Sequence, residues 1–449
     1  MAAKRKQCRI RTRPRGRMRI FKYTVLILAA GIALILTLIG ILSVTRGTPV
    51  KQVMAEGDRD GPPQVSDPLF PRTIELFTGT HIDPANGVQV LLNGDGTYPR
   101  LWRDIASAKR TLTVQLYYSV PGAVADTIAK YLEERARAHV RVLLLLDAFG
   151  SQSLTRGWVD SLKKSGVEFA WLRPLRWYTL HKATQRSHVR AIVIDGRVGY
   201  TGGFGLADYW LGDGHHEDQW RETNVRFEGP SVAALQAAFA SAWAEARGEL
   251  LTGDMFFPTA TFSDGGNVNA GLMHSIPSIG STSAERYLAL SIAGARKTLY
   301  ITNSYFVPNE DFCNLLIKAV RHGVDVRVLT VSSKTDVKTT WYAGRALYER
   351  LLSGGVRIYE YQPTMVHAKT IVVDGLFSTI GSMNFDNRSL AFNNEAQVLA
   401  LDPEVGQRMD SVFMDDLRYS EEMKLDTFRQ RPWTGKVLEW GAQKLRRVL

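Results

Sequence analysis

The pattern of hydrophobic and polar residues divides the chain into an apolar run near the N-terminus, a polar connector and a long body. Residues 23–44 form one stretch of hydrophobic and small residues without a charged side chain. From about residue 87 onwards, short apolar runs typical of strands alternate with amphipathic stretches typical of helices. This alternation predicts an α/β fold for the body.

The α/β pattern occurs twice. Residues 105–112 (IASAKRTL) return as residues 292–299 (IAGARKTL), and both copies continue into an apolar run that closes on Val-Pro. A second β-rich run follows at residues 140–147 in the first copy and at residues 324–332 in the second. This internal duplication predicts two α/β lobes, each a mixed sheet flanked by helices, which are related by a pseudo-twofold axis and share one cleft.

Composition sets the remaining boundaries. Gly, Pro and Asp before the first lobe favour a linker. At the C-terminus, Leu438, Ala442 and Leu445 fall at helical spacing among Lys and Arg, which predicts a basic amphipathic helix that lies in a membrane interface or docks on the body. The predicted segments are a basic tail (1–22), an apolar helix (23–44), a linker (45–70), two lobes (71–260 and 261–425) and the C-terminal helix (426–449).

The charge of the chain is concentrated at its N-terminus. The formal net charge is +12, but ten of the 56 Lys and Arg precede residue 23, and no acid accompanies them. The other 46 basic residues are matched by 44 acidic ones. The body therefore lacks the basic excess of a nucleic-acid-binding protein, and no nucleic-acid partner is expected.

Residues 23–44 are long enough to span a bilayer as a helix. A cleaved signal peptide is the alternative, but residues 44–47 (VTRG) offer no small-x-small cleavage site. The basic tail before the span predicts an N-terminus in the cytoplasm, because positive charge stays on that side. We expect a single-pass protein of the cell (inner) membrane with its body outside the cytoplasm.

The two cysteines, Cys8 and Cys313, fall on opposite sides of this span. An intramolecular disulfide is therefore not expected, and two cysteines exclude a four-cysteine metal site. Cys313 lies in an apolar pattern and is expected in the core.

Candidate chemistry is concentrated in one motif of the second lobe. The apolar run 370–373 predicts a buried strand that ends at an Asp-Gly turn, and positions 367 and 369 share a face because side chains alternate along a strand. An imidazole beside an ammonium suits a phosphate, since the histidine can attack phosphorus or transfer a proton while the lysine binds the oxygens. Taken alone, a His-x-Lys pair is better explained as a surface histidine and lysine on a buried strand. The full motif is His367, Lys369, Asp374, Gly381, Ser382 and Asn384.

This spacing, His-x-Lys-x4-Asp-x6-Gly-Ser-x-Asn, resembles the signature motif of the phospholipase D superfamily, whose monomeric members carry it twice. The first lobe has a second copy that departs from the motif at Arg190, where Lys is usual, and at Gly205, where Asn is usual. Arginine stays cationic and grips phosphate with a planar fork, so this half-site is expected to work. The copy comprises His188, Arg190, Asp195, Gly202 and Gly203.

Glu222 and Glu395 fall at matching places after the two motifs. A neutral histidine that acts as a nucleophile needs its other ring nitrogen held, usually by a carboxylate. In the superfamily such acids pair across the lobes, so the resemblance implies Glu395 on His188 and Glu222 on His367. A solvent-facing glutamate beside a strand is the alternative for each position.

Within the superfamily, residues 203–208, 220–223, 359–369 and 384–389 are similar to the cardiolipin synthase branch. The resemblance covers roughly residues 85–425 and implies a metal-independent phosphatidyl transfer through a phosphohistidine, with a phosphatidylglycerol-like lipid as substrate. A phospholipase or phosphodiesterase of the same superfamily is one alternative. The other is a membrane-anchored lipid-binding protein that has lost catalysis.

The resemblance also assigns roles, with His188 as the expected nucleophile. Ser382, Asn384, Gly203 and Gly381 are expected to contact the substrate. Independently of the resemblance, the basic and aromatic residues of the segment Arg173–Tyr178 suit the mouth of the cleft, with a packed surface loop as the alternative. Neither a metal ion nor a cofactor is expected, and the oligomeric state stays open. The implied catalytic set is His188, His367, Lys369, Arg190, Asp195, Asp374, Glu222 and Glu395.

Overall fold

The computed structural model describes residues 15–45, 49–54, 62–175, 185–259 and 266–446. The chain forms two compact units, residues 1–48 and residues 49–449. The first unit contains helix α1 (Arg15–Thr45), which includes the apolar run predicted from the sequence. Within it, Arg19–Leu38 is long and apolar enough to cross a bilayer, and none of this stretch is buried in the protein.

The second unit is the α/β body. Its first lobe contains seven described strands: β1 (Asp83–Leu92), β2 (Thr111–Leu116), β3 (Arg141–Asp147), β4 (Glu168–Leu172), β5 (Ala191–Ile194), β6 (Val198–Thr201) and β7 (Thr223–Glu228). The second lobe contributes β8 (Val268–Ser275), β9 (Thr298–Asn303), β10 (Asp325–Val331), β11 (Arg357–Tyr361), β12 (Lys369–Val373), β13 (Phe377–Gly381), β14 (Glu395–Leu401) and β15 (Ser420–Met423).

Helices precede the strands or cover both sides of them. They are α2 (Leu69–Thr78), α3 (Asn93–Ala106), α4 (Ala123–Arg137), α5 (Arg156–Lys164), α6 (Val232–Arg247), α7 (Ser283–Gly294), α8 (Glu310–Arg321), α9 (Lys338–Ser353), α10 (Asn387–Ala391), α11 (Pro403–Leu417), α12 (Leu425–Arg429) and α13 (Trp433–Lys444). Local chemistry fixes their starts, as in the capping box of α7, where Thr282 and Glu285 satisfy each other's backbone N–H groups.

The strand order shows the duplication directly. It runs β15-β11-β10-β9-β12-β13-β14-β8-β1-β7-β6-β5-β2-β3-β4. Apart from β15, the order reads the same outwards from the β8–β1 pair, which is antiparallel. The predicted fold of two duplicated mixed sheets is confirmed, and the two sheets are joined edge to edge at the pseudo-twofold axis.

Both faces of the sheet are covered by helices. In the first lobe, α3, α4 and α5 cover one face and α6 covers the other. In the second lobe, α7, α8 and α9 take one face, and α11 takes the face equivalent to that of α6. Coverage on both sides explains the apolar runs at residues 142–146 of β3 and 370–373 of β12, because every side chain in these two runs is buried.

The segment before β1 packs on the second lobe. Phe70 and Ile74 of α2 lie in the same hydrophobic core as Leu288 of α7, and the Val65 N–H donates to the Gly294 carbonyl at the end of α7. The sequence boundary of the first lobe at residue 71 stays a prediction, but α2 completes the core of the other lobe.

Candidate active site

The two motif histidines are placed by bridges that cross from one lobe to the other. Ser187 bridges Asn394, and Val366 bridges Arg221. The His188 N–H donates to the Asn394 carbonyl at 2.9 Å, and the His367 N–H donates to the Arg221 carbonyl at 2.7 Å. Each histidine is therefore tied, through the backbone, next to the glutamate of the opposite lobe.

Both cross-lobe pairs expected from the resemblance are present. The distance from His188 Nδ1 to Glu395 Oε2 is 3.1 Å, and the distance from His367 Nδ1 to Glu222 Oε2 is 2.6 Å. All four side chains are buried. Since each Nδ1 faces a carboxylate, it carries the proton, and the lone pair of Nε2 is left for chemistry.

The site keeps the imidazoles neutral. Burial, assisted by the Arg190 charge, lowers the pKa of His188 to about 4, although Glu395 acts in the opposite direction. Burial and the charges of Lys369 and Arg190 bring the pKa of His367 well below its usual value. A neutral imidazole is the form that can attack phosphorus.

The pKa values of the two glutamates are shifted in opposite directions. Burial raises the pKa of Glu222 despite the charge of Lys369 and the Trp210 hydrogen bond. Burial also acts on Glu395, but His188 and the Ser382 hydrogen bond outweigh it and leave the pKa of Glu395 lowered. Each carboxylate can stabilise its imidazole when the ring becomes positively charged.

A cation stands beside each histidine. Lys369 Nζ donates to Ser304 Oγ at 3.0 Å and to the His367 carbonyl, and burial lowers the pKa of Lys369 to about 7. Arg190 Nε donates to the Phe204 carbonyl at 3.2 Å and its Nη1 to the His188 carbonyl at 2.6 Å. Both cations have further N–H groups with which they can bind the oxygens of a phosphate.

The positions expected to contact substrate have different roles. Ser382 Oγ donates to Glu395 Oε2 at 2.5 Å, so this hydroxyl orients the acid. The buried Asn384 side chain has an amide atom without a partner among the described residues. Because amide oxygen and nitrogen are assigned from their partners, this end of Asn384 can serve as a donor to phosphate.

Gly203 and Gly381 allow close packing. A Cβ on Gly203 would lie 2.3 Å from Glu222 Oε2, and one on Gly381 would lie 2.2 Å from the Ala396 carbonyl oxygen. The Gly203 N–H donates to Asn224 Oδ1 at 3.1 Å. The absence of a side chain at Gly203 thus leaves room for Glu222, and its absence at Gly381 leaves room for the neighbouring strand. The Gly203 N–H is already bonded to Asn224, so it is not the group that contacts substrate.

Asp195 and Asp374 lie outside the catalytic cluster, contrary to their place in the expected catalytic set. Each sits with φ at 54° in the turn that ends its strand, and Asp374 is separated from Lys369 by about 16 Å of strand at ~3.3 Å per residue. Their carboxylates accept backbone N–H groups at the start of the neighbouring strand, at residues 109–111 for Asp195 and 296–298 for Asp374. In the structure, both aspartates thus hold the backbone of a neighbouring strand.

Sequence reasoning missed the aromatic walls of the site. The Tyr117 ring lies 5.0 Å from the His188 ring. The Trp210 and Trp220 rings lie 5.4 Å and 5.1 Å from the His367 ring. Tyr117 is the repeat equivalent of Ser304, the partner of Lys369, so alignment of the two copies contained a signal for this position.

The Trp210 ring occupies the space next to Gly205, the position at which the superfamily motif has asparagine. A Cβ on Gly205 would lie 2.8 Å from the Trp210 ring, so an asparagine cannot fit there. Trp210 Nε1 donates to Glu222 Oε2 at 3.2 Å, which in the other half-site is the role of Ser382 towards Glu395. The altered first motif is therefore compensated by a residue seven positions beyond Gly203.

The predicted basic-aromatic mouth is only partly described. Arg173 forms an ion pair with Glu245 at 2.9 Å and donates to Asn394 Oδ1 at 3.2 Å, which places it next to the residue preceding Glu395. Residues 176–184, including Trp177 and Tyr178, lie outside the described residues. Within the described ranges, no group of three or more His, Cys, Asp or Glu has the arrangement of a metal site.

Comparisons with known proteins agree with this geometry. A family model described as "Cardiolipin synthase, PLD-like domain" matches residues 101–243 and 288–417, one segment in each lobe. The cardiolipin synthase of Geobacillus kaustophilus is 32% identical over 365 residues, which span 80% of this chain and 72% of that protein. The cardiolipin synthase of Halalkalibacterium halodurans is 30% identical over 374 residues, which span 83% of this chain and 74% of that protein.

Solved structures show the same fold at much lower identity. The crystal structure of phosphatidylserine synthase from Haemophilus influenzae Rd KW20 superposes with a TM-score of 0.65 at 12% identity, over 84% of this chain and 99% of that one. Polyphosphate kinase from Porphyromonas gingivalis superposes with a TM-score of 0.51 at 11% identity, over 80% of this chain and 53% of that one. Given the family match in both lobes and the identity of 30–32% over almost three quarters of two relatives, this chain belongs to the cardiolipin synthase family of phospholipase D-like proteins.

Proposed function

We propose that this protein is a membrane-anchored phosphatidyltransferase that makes cardiolipin from two molecules of phosphatidylglycerol through a phosphohistidine. The observation that carries the proposal is the crosswise arrangement of two buried His–Glu pairs, His188 with Glu395 and His367 with Glu222. Two neutral imidazoles, each oriented by a carboxylate, supply one nucleophile and one acid–base group.

In the first step, Nε2 of His188 attacks the phosphorus of one phosphatidylglycerol. The bond from phosphorus to the glycerol headgroup breaks, and His367 gives a proton to the departing oxygen, so glycerol leaves. The short hydrogen bond to Glu222 supports His367 in this role because it stabilises the charged ring. The anionic phosphodiester itself raises the pKa of His367 on binding, which lets the ring hold that proton.

In the second step, His367 takes the proton from a hydroxyl of a second phosphatidylglycerol. The alkoxide oxygen attacks phosphorus, the phosphorus–nitrogen bond to His188 breaks, and cardiolipin is released. Lys369, Arg190 and Asn384 bind the phosphoryl oxygens, where negative charge is greatest in the transition state.

The test uses the full-length protein in phosphatidylglycerol vesicles, with lipid products identified by mass spectrometry. We expect cardiolipin and glycerol in the presence of a chelator, and the reverse reaction when glycerol is in excess, because one phosphodiester is exchanged for another. Phosphatidic acid as the sole product at every glycerol concentration would make the protein a phospholipase D. Lipid binding without any product would make it a binding protein.

A further inference from the structure

Helix α13 is attached to the body by its polar side. Glu439 is only 3% exposed, and its carboxylate accepts hydrogen bonds from Arg431 at 2.7 and 2.9 Å. Arg345 of α9 lies 3.6 Å from the same carboxylate. At the end of the helix Ala442 packs on Ala343. Ion pairs, together with a small apolar cluster of Val307, Ala343 and Ala442, hold the helix in place.

Most of the remaining surface of α13 is apolar and exposed. Trp433 is 74% exposed and Trp440 is 63% exposed, and three aliphatic side chains accompany them: Val437, Leu438 and Leu445. An amphipathic helix at the surface of a water-soluble body turns such a face inwards and its charges outwards. In α13 the arrangement is reversed: the charged Glu439 is buried against the body, and the apolar side chains are exposed.

Charge indicates what covers this face. The single acid of α13, Glu439, points inwards, so the exposed surface of the helix carries positive charge without negative charge. Lys444 extends along it, with Nζ 5.2 Å from the Trp440 ring. Tryptophan rings with lysines among aliphatic side chains are typical of helices that lie in the headgroup region of an anionic bilayer.

The residues that directly follow α13 lie at the active-site end of the second lobe. Arg446 forms an ion pair with Glu310, the first residue of α8, at 2.9 Å. The loop that leads from β9 to α8 contains Ser304, the partner of Lys369. The start of α9 is at the same end, where Asp336 accepts a hydrogen bond from Tyr305 of that loop.

We propose that the exposed face of α13, formed by Trp433, Val437, Leu438, Trp440 and Leu445, lies in the surface of an anionic bilayer and holds the active site against its lipid substrate. The inference deepens the proposed function, because it assigns a second membrane contact besides the apolar N-terminal helix. Its occupant is a lipid surface with negative headgroups.

The first test reads membrane contact without turnover. Leu438→Cys and, as a matched control, Leu250→Cys (72% exposed, in the first lobe) are made in the full-length protein with Cys8→Ser and labelled with a polarity-sensitive fluorophore. The buried Cys313, whose pKa burial raises to about 11, is inert to the label. In nanodiscs containing phosphatidylglycerol, we expect nitroxide lipids to quench the label at 438 roughly threefold more than at 250, and less so in phosphatidylcholine.

Equal lipid quenching at both positions would overturn the inference, because the face would then be in water. Protection of position 438 from both nitroxide lipid and aqueous iodide would also overturn it, since a protein surface such as a second copy would then cover the face. Neither result depends on which lipid product forms.

The second test links the face to activity. The variant Leu438→Ser/Trp440→Ser alters only exposed side chains, and its thermal unfolding midpoint should match that of the parent. We expect turnover of bilayer phosphatidylglycerol to fall about tenfold, while turnover of a short-chain, monomeric analogue stays unchanged. An equal loss on both substrates would contradict a role in lipid contact. If no transfer is observed for the parent, the proposed function fails, and the quenching result still decides membrane contact.

Discussion

At the residue scale, the site consists of two similar half-sites that reach the same arrangement with different residues. Lys369 with Ser304 in one lobe corresponds to Arg190 with Tyr117 in the other, where the guanidinium lies 5.7 Å from the phenol ring. Ser382 holds Glu395, whereas Trp210 holds Glu222. The first motif therefore keeps the contacts of the second motif but makes them with different residues: Arg190 in place of lysine, and Trp210 in place of serine.

The two histidines are expected to work as one unit. His188→Ala removes the proposed nucleophile, and His367→Ala removes the group proposed to transfer protons in both steps. Each single variant should lose at least ~10³-fold in kcat, and the double variant should be about as inactive as either one, because losses within one catalytic unit do not add. Steady-state rates on phosphatidylglycerol vesicles measure this. Near-normal turnover by His188→Ala would show that the first half-site is a relic.

Lys369 is expected to set the alkaline limb of activity. Its pKa of about 7 means that the side chain loses its charge, and its grip on phosphate, as pH rises through that value. The decrease in kcat/KM, which reports the free enzyme, should therefore occur near pH 7. The decrease in kcat should occur at higher pH, because the phosphate of the bound substrate raises the pKa of Lys369. Lys369→Arg should move the kcat/KM limb upwards, since arginine stays charged. An unmoved limb would assign it to another group.

The same shift has a consequence for stability. Folding lowers the pKa of Lys369 from 10.5 to about 7, so between these values the unfolded chain binds the additional proton. The contribution of this residue to stability therefore rises with pH across that window and is at its lowest below pH 7. Lysine in this position costs stability at neutral pH, as expected for a residue retained for function.

Trp210 is expected to position the acid–base histidine. Trp210→Phe keeps the ring against His367 but removes the N–H that donates to Glu222, a buried hydrogen bond to a charged group with a value of roughly 1.5–3 kcal/mol. We expect kcat to fall about tenfold or more with little change in KM, and the pH profile to shift because Glu222 loses a partner. Trp220→Phe is the control, since its ring lies as close to His367. Equal effects of both variants would indicate packing alone.

At the element scale, the motif aspartates fix where strands meet. Asp374 combines a left-handed backbone with three backbone N–H acceptor contacts to residues 296–298. Asp374→Ala should cost roughly 2–3 kcal/mol, because alanine loses these bonds and disfavours positive φ. Asp374→Asn should cost less, since asparagine tolerates that backbone and keeps one acceptor oxygen. Thermal unfolding of the purified protein measures both changes.

Activity at low temperature separates this structural role from a catalytic one. Both Asp374 variants should retain most of their turnover where they are folded, because the residue is far from the histidines. Loss of activity by Asp374→Asn with an unchanged unfolding midpoint would return the aspartate to the catalytic set.

Elements were predictable from the sequence where burial dictates composition. The run 370–373 became β12, and the run at 140–147 became β3, because strands covered on both faces are apolar over most of their length. The contacts of the aspartates were not predictable, because the motif shows their spacing but not the distant N–H groups from which they accept hydrogen bonds. Trp210 was missed for a related reason: the signal lies in a clash at Gly205, which exists only when the chain is folded.

At the scale of the whole molecule, duplication is what creates the site. The palindromic strand order places the two motif strands, β5 and β12, at equivalent distances from the β8–β1 junction. One hydrophobic core contains Leu235 of α6 and Met409 of α11, so the lobes are fused rather than merely adjacent. A histidine from one lobe can then be oriented by a glutamate from the other, which neither lobe can do alone.

The last prediction concerns the side of the membrane on which this body works. Ten basic residues and no acid precede residue 23, and an apolar helix follows. Since positive segments remain in the cytoplasm, a reporter that is active only outside the cytoplasm should be active when fused after Leu449 and inactive when fused before Met1. As a control, replacing the tail's Lys and Arg with Gln should reduce the C-terminal activity, because the bias that sets orientation is lost. Activity of the N-terminal fusion alone would reverse the topology and place lipid synthesis on the cytoplasmic leaflet.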